Sequence, residues 1–320
     1  MARSISFNQA VIEATAEEMR RDPTVYVIGT RVPKPLLEEF GADRVRRTPI
    51  SESAIAGMAV GSAMGGLRPV VILGHVAFAY SAFDQITNQA AKLRYMFGGQ
   101  CEIPVVFRVF SGFDPGMAAQ HCQSPYSIFA QFPGLKVAVP SAPGEAKGLL
   151  KAAIRDPNPL VFFEPLSLLD VTESMADDVP AAVLGEARVL RRGSDATLLA
   201  IGAMVPVALE AAEKLAKDGV SVEVIDPRSL VPFDVESLRQ SVRATGRLAV
   251  VDEAPAMCSM AAEIIALAVE DPKTLRALRS PPLRLCAAAA PVPFSRQLEA
   301  VVAPMDPERI VAAVRAMIAN

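Results

Sequence analysis

Several short runs in the first half of the chain read as strands, most of them apolar without alternation: Val25-Tyr-Val-Ile-Gly29, Pro69-Val-Val-Ile-Leu73, Pro104-Val-Val-Phe-Arg108, Leu135-Lys-Val-Ala-Val139 and Leu160-Val-Phe-Phe163. A strand with one wet face alternates apolar and polar residues. A strand that is apolar on both faces needs cover on both, as in a parallel sheet between helices. Helical patterns do lie between these runs. Ser6 and Gln9 are spaced as a capping box, with Phe7, Val11 and Ala14 on one face of the helix that follows. Ala146, Leu149, Leu150 and Ala153 share the face of another, which stops before Asp156-Pro157. The pattern predicts an α/β fold built on a parallel sheet.

A chain of 320 residues is too long for one ordinary core and suits two such units. Residues 168–186, LLDVTESMADDVPAAVLGE, are acidic and interrupted by Pro180 and Gly185, so the rhythm breaks there. The expected division is 1–175, a linker over 176–190, and 191–320. The second part repeats the α/β pattern. Its strands are Thr197-Leu-Leu-Ala-Ile-Gly202, Val220-Ser-Val-Glu-Val-Ile225, Arg247-Leu-Ala-Val-Val251 and Leu283-Arg-Leu-Cys286. A helix over about 205–217 carries Glu210/Lys214 and Glu213/Lys217 pairs and ends at Gly219. The last helix starts at Asp306-Pro307 and is expected to bury Ile310, Val314 and Ile318.

With 32 basic against 35 acidic residues, nothing in the charge calls for nucleic acid or a membrane surface as partner. Cys101, Cys122, Cys258 and Cys286 are far apart, with no CxxC pair, and read as reduced thiols of a cytoplasmic protein. The start, MARSISFNQAVIEA, does not read as a signal peptide, because Asn8, Gln9 and Glu13 interrupt the apolar run. The stretch from Ala54 to Phe83 has few charges, but its glycines and the Arg68-Pro69 break favour a buried helix followed by a buried strand.

The chemistry available from residue types is narrow. There are only two histidines, His75 and His121, and no GxGxxG, GxxxxGK[ST] or GxSxG motif. Gly57, Gly61 and Gly65 recur one helical turn at a time, which suits close helix packing and a subunit contact better than a phosphate loop. Glu52 in Thr48-Pro-Ile-Ser-Glu52 precedes a charge-free helix. Buried there, its carboxyl would hold a proton toward neutrality; the other reading is an acid at a helix start favoured by the macrodipole. His121, in Ala118-Ala-Gln-His-Cys-Gln-Ser124, is either an active-site group or a satisfied loop histidine.

A resemblance takes these residues further. TPISESAIAGMAVGSAMGGLRPV, DQITNQAAKLRYMFGGQ, AAQHCQS, FPGLKVAVPS, GLLKAAIRDPNPLVFFEP, DPRSLVPFD and GRLAVVDEAP occur in one order along nearly the whole chain. Together they resemble the β subunits of the thiamine-diphosphate-dependent 2-oxo-acid dehydrogenases, with the SES and RYMFGG forms most similar to acetoin dehydrogenase β subunits. The resemblance implies a transketolase-like fold, a parallel-sheet pyrimidine-binding domain followed by a transketolase C-terminal α/β domain. It also implies roles. Glu52 matches the glutamate that hydrogen-bonds the cofactor's aminopyrimidine ring and promotes loss of the thiazolium proton. Phe78 matches the aromatic that packs on the pyrimidine, and Ile50 lines the same pocket. His121 matches the histidine expected to handle protons on the substrate adduct or to assist acylation of lipoyl groups. Val105 and the turn carrying Ala153, Ile154, Asp156 and Asn158 match a structural potassium site.

The family's Gly-Asp-Gly motif, which holds Mg²⁺ and the diphosphate, does not occur in this sequence. The resemblance implies that a separate α subunit supplies it in an α2β2 heterotetramer, and that a lipoyl acyltransferase receives the acyl group from a 2-oxo acid or acetoin-like substrate. Two other readings stand beside this one: a two-subunit transketolase-like carboligase or lyase independent of lipoate, and a non-catalytic structural paralogue. One departure bears on substrate. Where the family reads Gly-Glu-Asp-Val, this chain has Gly29-Thr-Arg-Val32 and runs at once into Pro33-Lys-Pro. Arg31 there favours a substrate with an extra carboxylate or phosphate, unless it pairs with Glu38 or Glu39.

Overall fold

A computed structural model describes residues 3–319 apart from 115, 177, 304 and 305. The chain divides into two compact units, residues 1–111 with 128–184, and residues 112–127 with 185–320. The interleaving matters: the segment 112–127 lies by position inside the first domain but packs with the second.

The first unit opens with β1 (Arg3–Ser6) and α1 (Phe7–Arg21), then β2 (Val25–Gly29), α2 (Lys34–Arg44), β3 (Val45–Arg47) and α3 (Glu52–Met64). β4 (Arg68–His75), α4 (Val76–Ala79), a π-helix over Gln85–Ala90, α5 (Ala91–Met96) and β5 (Val106–Ser111) follow. The segment 112–127 contains α6 (Ala118–His121), and α7 (Tyr126–Ala130) marks the return. β6 (Lys136–Ala138), α8 (Pro143–Arg155), β7 (Leu160–Pro165) and β8 (Thr172–Met175) complete the unit. Its parallel sheet runs β6-β7-β5-β4-β2-β3, as the doubly apolar runs require. β1 and β8 form a separate antiparallel pair, with Arg3 opposite Met175.

The second unit contains β9 (Arg188–Arg191), β10 (Ala196–Ala200), α9 (Met204–Lys217), β11 (Val222–Asp226), β12 (Ser229–Val231), α10 (Val235–Thr245) and β13 (Leu248–Pro255). After these come α11 (Met260–Val269), α12 (Pro272–Ala277), β14 (Leu283–Ala287), α13 (Arg296–Val302) and α14 (Pro307–Ala319). Its sheet order is β14-β13-β10-β11-β9, parallel except for the antiparallel edge strand β9. α14 buries Ile310, Val311, Val314 and Met317, while Ile318 is half-buried. Among the described residues no helix is long and apolar enough to cross a membrane.

Helix ends follow the local chemistry. Ser6 Oγ accepts from Gln9 N at 3.2 Å and Gln9 Oε1 accepts from Ser6 N at 2.8 Å, a complete capping box on α1. α1 then packs on α8. Phe7, Val11 and Ala14 are buried as predicted, and ion pairs also join the two helices. Lys147 is fully buried, its Nζ 3.2 Å from Glu13 and 2.8 Å from Glu17, and Arg155 meets Glu18 at 2.6 Å. Removing the buried cation takes a partner from Glu13 and Glu17, one turn apart on α1, and leaves them Arg3 and Lys151. Lys147→Ala is therefore expected to destabilise the chain by about 3 kcal/mol, read as a lower denaturant midpoint at unchanged slope.

α3 departs from expectation. The sequence predicts a buried helix, yet only Ile55, Ala56, Ala59, Val60 and Ala63 are buried, and Met58 on the opposite side is 57% exposed. The physical reason is its nearly uniform apolarity, which hides from composition which side this chain covers. Of the spaced glycines, Gly57 faces Gln85 of the π-helix, where an added Cβ would lie 3.5 Å from Cγ. Gly61 faces open space.

Candidate active site

β2, β3 and β4 end on one edge of the first sheet, since Gly29 registers with both Arg47 and Ile72. The carboxyl ends of parallel strands form a natural ligand crest, because the following loops and helix starts converge there. Thr48 N donates to Gly29 O at 3.1 Å, turning the chain off β3, and Ser51 Oγ donates to Pro49 O at 3.2 Å. Glu52 is then the first residue of α3. It is half-buried and has no side-chain hydrogen-bond or ion-pair partner among the described residues. Ile50 beside it is 83% exposed.

β4 leads over Gly74, at φ +75°, into the short helix α4 that carries Phe78. A side chain at Gly74 would be strained by that φ and would meet the Phe78 ring at 3.4 Å. Phe78 is 41% exposed and stands edge-on to His75, ring centroids 5.8 Å apart. His75 also meets Phe110 at the end of β5, 6.1 Å away. α3 packs against α4, and Ser53 Oγ donates to Gln85 Oε1 at 3.1 Å, so the first turn of α3 is tied to the π-helix. The structure thus brings Ile50, Glu52 and Phe78 to one crest. Residue motifs had not singled out His75 or Gln85; an aromatic three residues after a strand-end histidine was the available signal.

Arginines border the same crest. Glu38 pairs with Lys34 at 3.3 Å and Glu39 with Arg20 at 2.5 Å. Both acids that could have paired with Arg31 are thus engaged elsewhere, and exposed Arg31 has no partner among the described residues. Arg46, Arg47, Thr48, Leu37 and Met58 line an adjoining cavity of about 510 Å³.

The turn after α8 is also assembled. Leu160 N donates to Val105 O at 2.9 Å, and Ala153 to Asn158 form the helix end beside it. Several of its acceptors already hold protein donors. Arg68 Nη1 donates to Ile154 O at 2.9 Å and to Asp156 O at 3.2 Å, and Lys136 pairs with the Asp156 carboxylate. Asn158 N and Nδ2 both donate to Asp156 Oδ1 at 2.9 Å, while Arg94 Nη1 donates to Asn158 Oδ1 at 2.7 Å.

His121 belongs to the second unit. It is the last residue of α6, half-buried, and is followed by buried Cys122. Burial pushes the Cys122 thiol up, helped by Glu299, Asp114 and Glu253 and opposed by a backbone hydrogen bond at Asp114. That places Cys122 among packed thiols, not reactive ones. Among the described residues no group of three or more His, Cys, Asp or Glu side chains could hold a metal ion.

Comparison with known proteins places these features. Residues 3–171 match the transketolase pyrimidine-binding domain model, and residues 185–310 match the transketolase C-terminal domain model. The acetoin:2,6-dichlorophenolindophenol oxidoreductase β subunit of Bacillus subtilis (strain 168) is 42% identical, covering 97% of this chain and 96% of that protein. The chain belongs to the β-subunit family of the thiamine-diphosphate-dependent 2-oxo-acid and acetoin dehydrogenases. The corresponding subunit from Cupriavidus necator is 40% identical across 99% of this chain and 98% of the relative. Subunit β-1 of the mitochondrial pyruvate dehydrogenase E1 component of Arabidopsis thaliana is 39% identical across 98% and 90%. A solved structure titled as a split-gene transketolase, inactive β4 tetramer, superposes with TM-score 0.80 over 98% of each chain at 24% identity, which shows the shared fold.

Proposed function

We propose that this β subunit completes, with an α subunit, the site of a 2-oxo-acid or acetoin dehydrogenase that cleaves the bond next to the substrate carbonyl and passes the acyl group to a lipoyl acyltransferase. The observation that carries the reading is the unpartnered Glu52 carboxylate on the same crest as the exposed Phe78 ring, in a pyrimidine-binding domain. The residues fit half of thiamine diphosphate: a carboxyl to hydrogen-bond the aminopyrimidine, an aromatic face to cover it, and Ile50 as an apolar wall. When bound, the cofactor supplies a carbon nucleophile and an electron sink. Glu52 holds and moves the proton at the pyrimidine ring nitrogen, and His121 moves protons on the substrate side. The α subunit contributes the diphosphate and Mg²⁺ contacts that the Gly-Asp-Gly motif provides in this family. The exposed apolar side of α3, with Met58 57% exposed, supports that partnership. K⁺ at the turn of Ala153, Ile154, Asp156 and Asn158 with Val105 would have to compete with Arg68, which already donates to the Ile154 and Asp156 carbonyls.

The test is reconstitution with an α subunit bearing the diphosphate motif, followed by dye reduction with pyruvate, branched-chain 2-oxo acids, a 2-oxo dicarboxylate and acetoin. Turnover of one of these classes is expected, with acyl transfer to a lipoyl domain. A cofactor-loaded assembly that consumes none of them overturns the reading. Because Arg31 is unpaired among the described residues, substrates with a second anionic group should be favoured. Arg31→Glu is expected to lower kcat/KM for a dicarboxylate about tenfold relative to acetoin, the size of one lost charge contact. An unchanged preference would assign Arg31 to the surface alone.

A further inference from the structure

The histidine-bearing segment packs on a buried acid. Residues 112–127 leave the end of β5 and close on themselves, with Gly112 N donating to Gln123 O at 2.9 Å. Inside the loop, Cys122 N donates to Ala118 O at 3.0 Å, and Asp114 N donates to Cys122 Sγ at 3.4 Å. Phe113 and Cys122 pack with Ala287, Val292 and Ala303 of the second unit. Against this loop sits Glu253 near the end of β13, 2% exposed. The Tyr126 hydroxyl donates to its Oε1 at 2.7 Å, and Tyr126 is itself buried. Gly112 stands at φ +88°, and a Cβ there would lie 2.6 and 2.7 Å from the two carboxylate oxygens. The carboxylate is therefore wedged against the backbone of the loop's first residue and bonded to the side chain near its last.

A buried carboxylate is costly unless its hydrogen bonds repay the loss of water. Burial pushes the Glu253 carboxyl up and the bond from Tyr126 to Oε1 pulls in the opposite direction, while Oε2 makes no hydrogen bond among the described residues. Packing alone would be served better by an apolar residue of the same size. What the acid adds is direction, because it accepts from a fixed hydroxyl and leaves room for only a glycine opposite. Gly116 N also donates to Glu299 Oε2 at 3.3 Å, so a second acid of this unit holds the loop's tip.

We propose that Glu253, acting with Tyr126, is the positioning residue that sets the place of His121. The proposal rests on the role given to His121 above. Glu253 has no part in activating the cofactor, which belongs to Glu52 on the other unit.

The experiment uses the full complex with its α subunit and cofactor. Tyr126→Phe, Glu253→Ala, His121→Ala and the two double variants with His121→Ala are compared. Exchange of the thiazolium proton, kcat, KM and the thermal midpoint are the readouts. Tyr126→Phe keeps the ring and should lower kcat about tenfold, and Glu253→Ala about a hundredfold, the size expected when a reacting group is misplaced by about 1 Å. Thiazolium exchange and KM should stay unchanged. In the His121→Ala background neither change should add a further loss, because both act through the histidine. Should Glu253→Ala fail to fold, Tyr126→Phe carries the same test. Normal turnover by Tyr126→Phe, or losses that multiply with that of His121→Ala, overturns the proposal. If His121→Ala itself turns over normally, the histidine's role falls, and the proposal with it. An impaired His121→Ala beside an unaffected Tyr126→Phe removes the proposal alone.

Discussion

Glu52→Gln is expected to slow exchange of the cofactor's thiazolium proton by about a hundredfold or more in the assembled complex, while leaving assembly intact. The amide keeps the size of the side chain and can still lie against a pyrimidine, but it cannot exchange a proton at pH 7. Positioned proton transfer contributes about 10² to 10⁴ in rate, so its removal should show in both exchange and kcat, with KM nearly unchanged. The structure makes this a clean substitution. Glu52 is half-buried at the first turn of α3 and makes no side-chain ion pair or hydrogen bond among the described residues, so the fold loses no such contact with it. Removing an acid from a helix start costs only about 0.3 to 1 kcal/mol through the macrodipole. Exchange measured by deuterium incorporation separates the two roles that sequence left open for this residue. A variant with wild-type exchange would make Glu52 a helix-start acid and nothing more.

How much of this was legible beforehand follows from which contacts are local. The parallel strands were legible because burial on both faces writes an unbroken apolar run, as in β2. β3 was not, since Val45-Arg46-Arg47 is an edge strand whose arginines face solvent. β1, β8 and β9 were missed for a related reason: short antiparallel edges need no apolar cover, so RSIS, TESM and RVLR read as loops. Glu52, Ile50 and Phe78 were named through the family resemblance, and strand register places them at one crest. The affiliation of residues 112–127 was invisible. It depends on Gly112 and Tyr126 meeting Glu253, more than a hundred positions away, and no local period records such a contact. Nor could spacing say that Glu38 and Glu39 would take Lys34 and Arg20, leaving Arg31 unpaired among the described residues.

The isolated chain is expected to bind thiamine diphosphate at least about a thousandfold more weakly than the α–β complex, a difference of about 4 kcal/mol. The residues at the crest can hold one ring of the cofactor. Phe78 offers an apolar face that is 41% exposed and Glu52 one charge-assisted hydrogen bond, together enough for a millimolar contact. The diphosphate carries most of the cofactor's charge. Mg²⁺ reaches phosphate groups through carboxylate and amide oxygens set at short, near-octahedral distances. The motif that provides them in this family, Gly-Asp-Gly, is missing from this sequence. Binding should therefore turn tight and Mg²⁺-dependent only when an α subunit with that motif is added, and activity should appear in the same titration. Chelation should abolish the tight phase and leave the weak ring contact. Calorimetry on the purified chain, before and after addition of the partner, reads both states directly. Tight, Mg²⁺-dependent binding by the chain without a second kind of subunit would falsify the divided cofactor site.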